Sequence, residues 1–262
     1  HMAQNGKPNK ERQDFHWKWL AEIVIRPKRT LEKIAAFEKP VWLTPLLVIT
    51  VLAILSVLIS GPIKIQNLQS GTTPLPENFQ YWSEKDQQAY FQGQQNLSSP
   101  IFIFVFPILQ GVGGYWLFWL LFSSILYLIS TLSGSRAPRN KAGNLTAWAM
   151  SPFILRLLVQ SLTTLFTRKL VTINGLAGFI AKDAKGFQAF ARGLLSQMDV
   201  YWVWFVVLIV IGMLLISGLK RGKTITAVLV TVLIMLVLQA IPSLISSTLS
   251  GLSGGGTGFY FF

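Results

Sequence analysis

The sequence predicts an all-α membrane protein, a polytopic bundle of five transmembrane helices with amphipathic helices at the interface. Residues 200–219 and 224–250 contain no charged side chain, and only the basic turn Lys220-Arg221-Gly222-Lys223 separates them. Because an α-helix rises about 1.5 Å per residue, 20 residues cross a hydrocarbon core about 30 Å thick. The composition agrees, since 52% of the residues are hydrophobic, 13% are charged and the mean hydropathy is +0.50.

Charge and cysteine content narrow the possible chemistry. The net charge of +13 is expected to lie on cytoplasmic loops that contact anionic lipid headgroups, and not on a nucleic-acid surface. The chain has no cysteine, which excludes disulfides, thiol catalysis and thiolate metal sites. His1 looks like a cloning remnant ahead of Met2, and His16 is then the one native histidine. A histidine-rich metal site is therefore excluded as well.

Residues 1–39 are predicted to form a cytoplasmic tail with amphipathic helices. The segment FHWKWLAEIVIRP brings Trp19, Ile23 and Arg26 onto one helical stripe, and Pro27 restarts a second, polar helix. These helices are interpreted either as surface helices on the membrane or as a docking platform for a cytoplasmic partner. The predicted lipid or partner contacts are Trp17, Trp19, Arg26, Lys28, Arg29, Lys220, Arg221 and Lys223.

Residues 40–250 are predicted to form the membrane domain, followed by a Gly-rich aromatic tail over residues 251–262. The expected spans are residues 41–60, 101–131, 145–166, 200–219 and 224–250, with an extracytoplasmic loop over residues 62–100. An amphipathic stretch before residue 199 is expected in the interface plane. With the N-terminus inside, 15 basic residues are cytoplasmic and 7 are outside. The positive-inside rule therefore predicts a cytoplasmic N-terminus and an extracytoplasmic C-terminus in the inner (plasma) membrane.

The second predicted span is longer than a single crossing needs. We expect one long, kinked helix over residues 101–131; the alternative is a re-entrant piece ahead of the true span. A broken helix is a common way to form a binding site in transporters, and small residues also allow helices to approach closely. The residues at which a break is predicted are Pro107, Gly111, Gly113 and Gly114.

Arg156 lies near the middle of the third predicted span, where an arginine costs about 2.5–3.5 kcal/mol on insertion scales. It therefore needs a partner: Asp199, a carbonyl freed near Pro152 or Pro107, or an anionic headgroup. One interpretation is an anion or lipid-headgroup site formed by Arg156, Gln160 and Asp199. The other is a structural polar tie between helices.

Enzyme templates do not fit this sequence. It has no carboxylate pair in or near a span, no Gly-rich phosphate loop and no HExxH motif. Asp199 is the one acid close to a membrane run, and an acid there is more often a helix N-cap. We therefore expect no catalytic, cofactor-binding or metal-binding residue.

Three sequence stretches and the predicted topology carry a family resemblance. The stretches are IVIRPKRTLEKIAAFEKP before the first span, LSGSRAPRNKAGNLTAWAMSPFILRLL into the third, and MDVYWVWFVVLIVIGMLLISGLKRGKTITAVLV across the last two. Over residues 21–250 the chain resembles the Yip1-domain membrane proteins in their bacterial form, with residues 63–100 as a departure. The resemblance implies a non-enzymatic protein acting through partners, which are trafficking factors in eukaryotes and often ABC-type export systems in bacteria.

Two hypotheses for the function follow. The first is an accessory or scaffolding partner of a membrane complex, such as an ABC-type export system, acting through the basic, Trp-bearing helices of residues 15–39. The second is a small channel, transporter or lipid-handling protein with a site at Arg156 and the segment from Pro107 to Gly114. The expected partners are anionic lipid headgroups and a membrane protein or a second copy of the chain. No cofactor and no nucleic acid are expected.

Overall fold

The computed structural model describes residues 15–69, 79–171, 188, 191, 195 and 198–252, and these form an all-helical fold. The predicted fold class of a polytopic helical membrane protein is confirmed. Predictions for residues 2–12, for the amphipathic stretch over 172–197 and for most of the tail at 251–262 lie outside the described residues. The helices are α1 (Trp17–Ile25), α2 (Pro27–Ala36), α3 (Leu43–Gln69), α4 (Glu84–Leu97), α5 (Phe106–Leu132), α6 (Arg139–Ala149), α7 (Ser151–Thr167), α8 (Val200–Ile216) and α9 (Arg221–Leu252).

Four segments of the described chain are long and apolar enough to cross a membrane, and one further helix is apolar but shorter. The four segments are Leu43–Leu68, Ile101–Leu132, Arg139–Thr167 and Arg221–Ile241. The shorter helix is α8, whose 17 residues cover about 26 Å, close to the lower limit for a span. Because α8 is short, its N-cap Asp199, which pairs with Arg156, lies about one helix length of 26 Å from its other end.

The segment from residue 101 to residue 132 is helical throughout, as expected for a single long span. Its irregular part is a π-helical turn, Ile101–Val105, and not the glycine cluster. Pro107 lies in the first turn of α5, immediately after the π-helical turn. The three glycines lie inside regular α-helix, and a Cβ atom on any of them would meet no atom within 4 Å: Gly111, Gly113 and Gly114.

The first span is longer than the sequence predicted. Helix α3 continues beyond residue 60, through Pro62, to Gln69. Gly61 lies directly against the ring of Phe104 in the π-helical turn, so that a Cβ atom there would overlap the ring. The predicted extracytoplasmic segment also contains α4, which begins at Glu84. Part of this segment is therefore helical.

Helices α6 and α7 together make the third candidate span and occupy the centre of the bundle. Residues 145–154 are all buried. The chain turns between the two helices at Met150, whose carbonyl accepts a hydrogen bond from Phe153 N at 2.9 Å. Pro152 has no backbone N–H to continue the helical pattern, which explains the turn at this point.

Aromatic packing sets α8 between α5 and α7. The ring of Phe205 on α8 lies 4.9 Å from that of Phe122 on α5 and 5.3 Å from that of Phe153 on α7. Phe122 and Phe205 are fully buried. Because lipid tails are as apolar as these side chains, close packing and not apolar burial alone favours this arrangement in a membrane.

Helices α6 and α8 meet at Gly212, and we expect Gly212→Ala to destabilise the fold by about 1–3 kcal/mol. A Cβ atom at Gly212 would overlap the side chain of Leu145, which is 3% exposed and has little room to move. The measurement is thermal unfolding of the purified chain in detergent. Gly111→Ala is the matched control, because it has no neighbour to displace and gains helix propensity. An equal loss at both positions would contradict the close contact.

Candidate functional site

Arg156 on α7 and Asp199 at the start of α8 form an ion pair inside the bundle. Arg156 Nε lies 3.2 Å from Asp199 Oδ2, and the two side chains are 21% and 5% exposed. The two atoms are close but not aligned for a hydrogen bond. Asp199 Oδ2 has no hydrogen-bond partner among the residues described. Oδ2 is thus paired by charge and still able to accept a hydrogen bond from a further donor.

Asp199 is also the N-cap of α8. Its Oδ1 accepts a hydrogen bond from Trp202 N at 2.8 Å. A carboxylate at this position satisfies a free backbone N–H and interacts favourably with the helix dipole. The sequence predicted two roles for Asp199, helix cap and partner of Arg156, and the side chain has both. Oδ1 caps the helix and Oδ2 pairs with Arg156.

Two further polar residues, Tyr115 and Gln160, belong to the helices around the pair. The ring of Tyr115 on α5 lies 6.2 Å from that of Phe153 on α7. Gln160 lies four residues after Arg156 and is half-buried. Within the described part of the chain no hydrogen bond joins Gln160 to the pair. The structure thus brings two of the three predicted site residues together.

Four buried polar atoms have no hydrogen-bond partner among the described residues, and two of them belong to Asp199 and Trp202 at the start of α8. The hydroxyls of Ser217 and Thr224, 3.0 Å apart, set the register between α8 and α9. Trp202 lies 15 residues before Ser217, and Gln239 lies 15 residues after Thr224. Because α8 and α9 are antiparallel, the two residues lie at a similar height along the helix axes. A glutamine in an apolar span is the sequence signal that would have indicated Gln239. The four atoms are Ser161 Oγ, Asp199 Oδ2, Trp202 Nε1 and Gln239 Oε1.

Helix α6 anchors the segment that joins α2 to α3. Three α6 side chains, spaced four residues apart and therefore on one helix face, bond the backbone of residues 38–41. This anchor was not predicted from the sequence, although the asparagines before an apolar run and the four-residue spacing could have indicated it. The bonds are Asn140 Nδ2 to Glu38 O, Asn144 Nδ2 to Lys39 O (2.9 Å), Val41 N to Asn144 Oδ1 (2.8 Å) and Trp148 Nε1 to Val41 O (3.0 Å).

Helices α1 and α2 pack into the bundle core through their apolar faces. The core residues that they contribute are Ile23, Leu31 and Ile34. Trp19 stacks on His16 at 4.0 Å and lies 5.5 Å from the buried Trp148. Trp19 is therefore a contact within the protein, whereas Trp17 is 56% exposed and accessible to lipid or a partner.

The loop after α5 and the turn before α9 meet at one end of the bundle, which we call the basic end. Ser135 Oγ donates a hydrogen bond to Ser217 O at 2.8 Å, and this joins the loop after α5 to the turn before α9. The bond from Asn140 to Glu38 O brings the end of α2 to the same place. The exposed basic residues of these two loops include Arg136, Arg139, Lys220, Arg221 and Lys223, and those of the α2 segment include Arg26, Lys28, Arg29 and Lys39.

Apolar helices of spanning length around a buried ion pair, with a cationic end, define a polytopic helical membrane protein. The family model of the Yip1 domain matches residues 21–241, and the chain belongs to this family. Yip1-domain proteins are generally non-enzymatic membrane proteins. The family predicted from the sequence is confirmed, and the match begins within α1, so it includes most of the α1–α2 pair. No curated protein and no solved structure matches the chain.

Proposed function

We propose that this protein is a non-enzymatic accessory or scaffolding subunit of a membrane complex, with an ABC-type export system as its partner. The observation that carries the proposal is the basic end, together with the anchored α1–α2 pair beside it. A cationic surface favours association with an acidic partner. Because Asn144 and Trp148 already hold the segment behind α2, binding requires little further ordering of the chain.

The charge distribution supports a cytoplasmic location for the basic end. Residues 15–42, 133–144 and 217–224 contain twelve Lys or Arg side chains and three acidic ones. The rest of the described chain contains five basic and three acidic side chains. By the positive-inside rule the N-terminal helices then face the cytoplasm and the C-terminus lies across the membrane, which we take to be a bacterial inner membrane.

Neutralising the basic end tests the accessory role. The combined variant Arg136→Gln, Arg221→Gln and Lys223→Gln is expected to lower partner recovery about tenfold, since each exposed charge contributes up to about 1 kcal/mol. The partner, an ATPase with its permease, is captured by cross-linking in native membranes, affinity isolation and mass spectrometry. The matched control neutralises three charges elsewhere, Lys85, Arg168 and Lys169, and is expected to retain full recovery.

Loop charges also set topology, so orientation is checked in the same variants. The chain has no cysteine, which allows labelling of a single introduced one. In intact cells, a membrane-impermeant maleimide should label Gln88→Cys and spare Lys28→Cys. The accessory role is wrong if no ATPase accompanies the wild-type chain. It is also wrong if the neutralised variant keeps both its topology and full recovery.

A small channel, transporter or lipid-handling protein is the second candidate function. The pair Arg156–Asp199 and the unpartnered polar atoms beside it favour this candidate. The support comes from this end of α8 alone, because α5 runs as a continuous helix through Gly111 and Gly114. Flux through liposomes containing the purified chain tests it, and wild-type flux equal to that of empty liposomes would remove it.

A further inference from the structure

We propose that Arg156 and Asp199 form the base of a binding site for a zwitterionic phospholipid headgroup, of the phosphoethanolamine type. The site would lie at the end of α8 remote from the basic end. The proposal goes beyond the accessory role and does not depend on it. It rests on three observations: hydrogen-bond donors and acceptors without partners, the zero net charge of the ion pair, and the position of the pair across the bilayer.

The first turn of α8, and α9 at a similar height, carry unused donors and unused acceptors. Arg156 Nε lies 3.2 Å from Asp199 Oδ2, which leaves the two Nη groups of the guanidinium for a further acceptor. Trp202 Nε1 is a second unused donor, and Asp199 Oδ2 and Gln239 Oε1 are unused acceptors. Burying such groups without partners is unfavourable, so a bound polar group that satisfies them would be retained.

The charge of the pair selects the class of ligand. One cation and one anion sum to zero, so a simple anion would gain attraction from Arg156 and meet repulsion from Asp199. A headgroup that carries both charges meets both residues favourably. Its phosphate can accept hydrogen bonds from Arg156 and Trp202, and its ammonium can donate to Asp199 and Gln239.

The depth of the site fits a lipid. Helix α8 covers about 26 Å between the basic end and Asp199, which is close to the hydrocarbon thickness of a bilayer. Asp199 and Arg156 are therefore near headgroup depth in the opposite leaflet. Exposed apolar side chains between the height of the pair and the basic end provide a surface for acyl chains: Val203 and Val207 on α8, and Leu233 and Val237 on α9.

The test uses Trp202→Phe and Gln239→Leu in the full chain. Native mass spectrometry of the detergent-purified protein measures retention of phosphatidylethanolamine and of phosphatidylglycerol. The wild type should retain phosphatidylethanolamine preferentially, and each variant should lower that retention about tenfold, the loss expected for one hydrogen bond to a charged group. Gln239→Leu removes an unpartnered buried atom at similar volume, so without lipid it should melt no lower than the wild type.

Trp116→Phe is the matched control. Trp116 Nε1 donates a hydrogen bond to Thr50 Oγ1 at 2.9 Å, so this variant loses a satisfied N–H of the same chemical kind. It should melt at a lower temperature and keep the preference for phosphatidylethanolamine. This control separates the effect of losing any indole N–H from the effect of losing the N–H of Trp202.

Three results would overturn the proposal. In the first, both variants retain phosphatidylethanolamine as the wild type does, so the unused groups bind no headgroup. In the second, the wild type retains phosphatidylglycerol equally well, so the zwitterion is not selected. In the third, soluble phosphoethanolamine competes as effectively as the lipid, so the ligand is not a membrane component. Lipid retention is the readout here and partner recovery tests the accessory role, so the two proposals can fail separately.

Discussion

Replacing Arg156 with leucine is expected to lower the free energy of unfolding by about 3 kcal/mol. The change leaves Asp199, which is 5% exposed, without its cation. Removing one partner of a buried ion pair costs about 3–5 kcal/mol, and the lower end applies because Arg156 is 21% exposed. Thermal unfolding in detergent, followed by near-ultraviolet circular dichroism, measures the effect.

The double variant Arg156→Leu with Asp199→Asn is the control for this prediction. Asparagine caps a helix about as well as aspartate, so α8 keeps its N-cap while the unpaired charge disappears. We expect the double variant to recover most of the lost stability. If Arg156→Leu alone melts like the wild type, the pair is not a structural tie. A loss of flux in such a stable variant would then favour the transporter candidate.

Trp148→Ala is expected to cost about 3–5 kcal/mol and to loosen the α1–α2 pair. Trp148 is fully buried, lies 5.5 Å from Trp19 and donates a hydrogen bond to Val41 O. Truncation removes the ring contact with Trp19 and the hydrogen bond to Val41 O, and it leaves a cavity between α6 and the N-terminal helices. Thermal unfolding measures the stability, and limited proteolysis of the N-terminal segment measures the loosening.

Trp17→Ala is the matched control, since it removes the same atoms from a side chain that is 56% exposed. A change within about 0.5 kcal/mol is expected there. Equal losses for Trp17→Ala and Trp148→Ala would show that α1 does not dock on α6. If the accessory role holds, Trp148→Ala should also lower recovery of the partner, because the helices beside the basic end are no longer held.

The spanning helices could be predicted from the sequence because the signal is local. A run such as residues 224–241 is uncharged and long enough to cross the hydrocarbon, whatever surrounds it. The long second span was also expected as one helix. Its irregular turn lies at Ile101–Val105 and not at the glycines, because a glycine is tolerated inside a helix when nothing requires a bend there.

Sequence alone therefore determined that this chain is a polytopic helical membrane protein with its positive charge in particular loops, since length and composition suffice for both. Only the tertiary structure decided which side chains meet. Arg156 had three possible partners, and Asp199, distant along the chain, is the one that folding brings to it. An amphipathic stripe such as that of α1 fits lipid or protein equally well. In the structure Ile23 of this stripe is buried in the core and Trp19 contacts Trp148, so the stripe faces protein. The sequence could not decide this, because contacts between distant segments leave no periodic pattern in it.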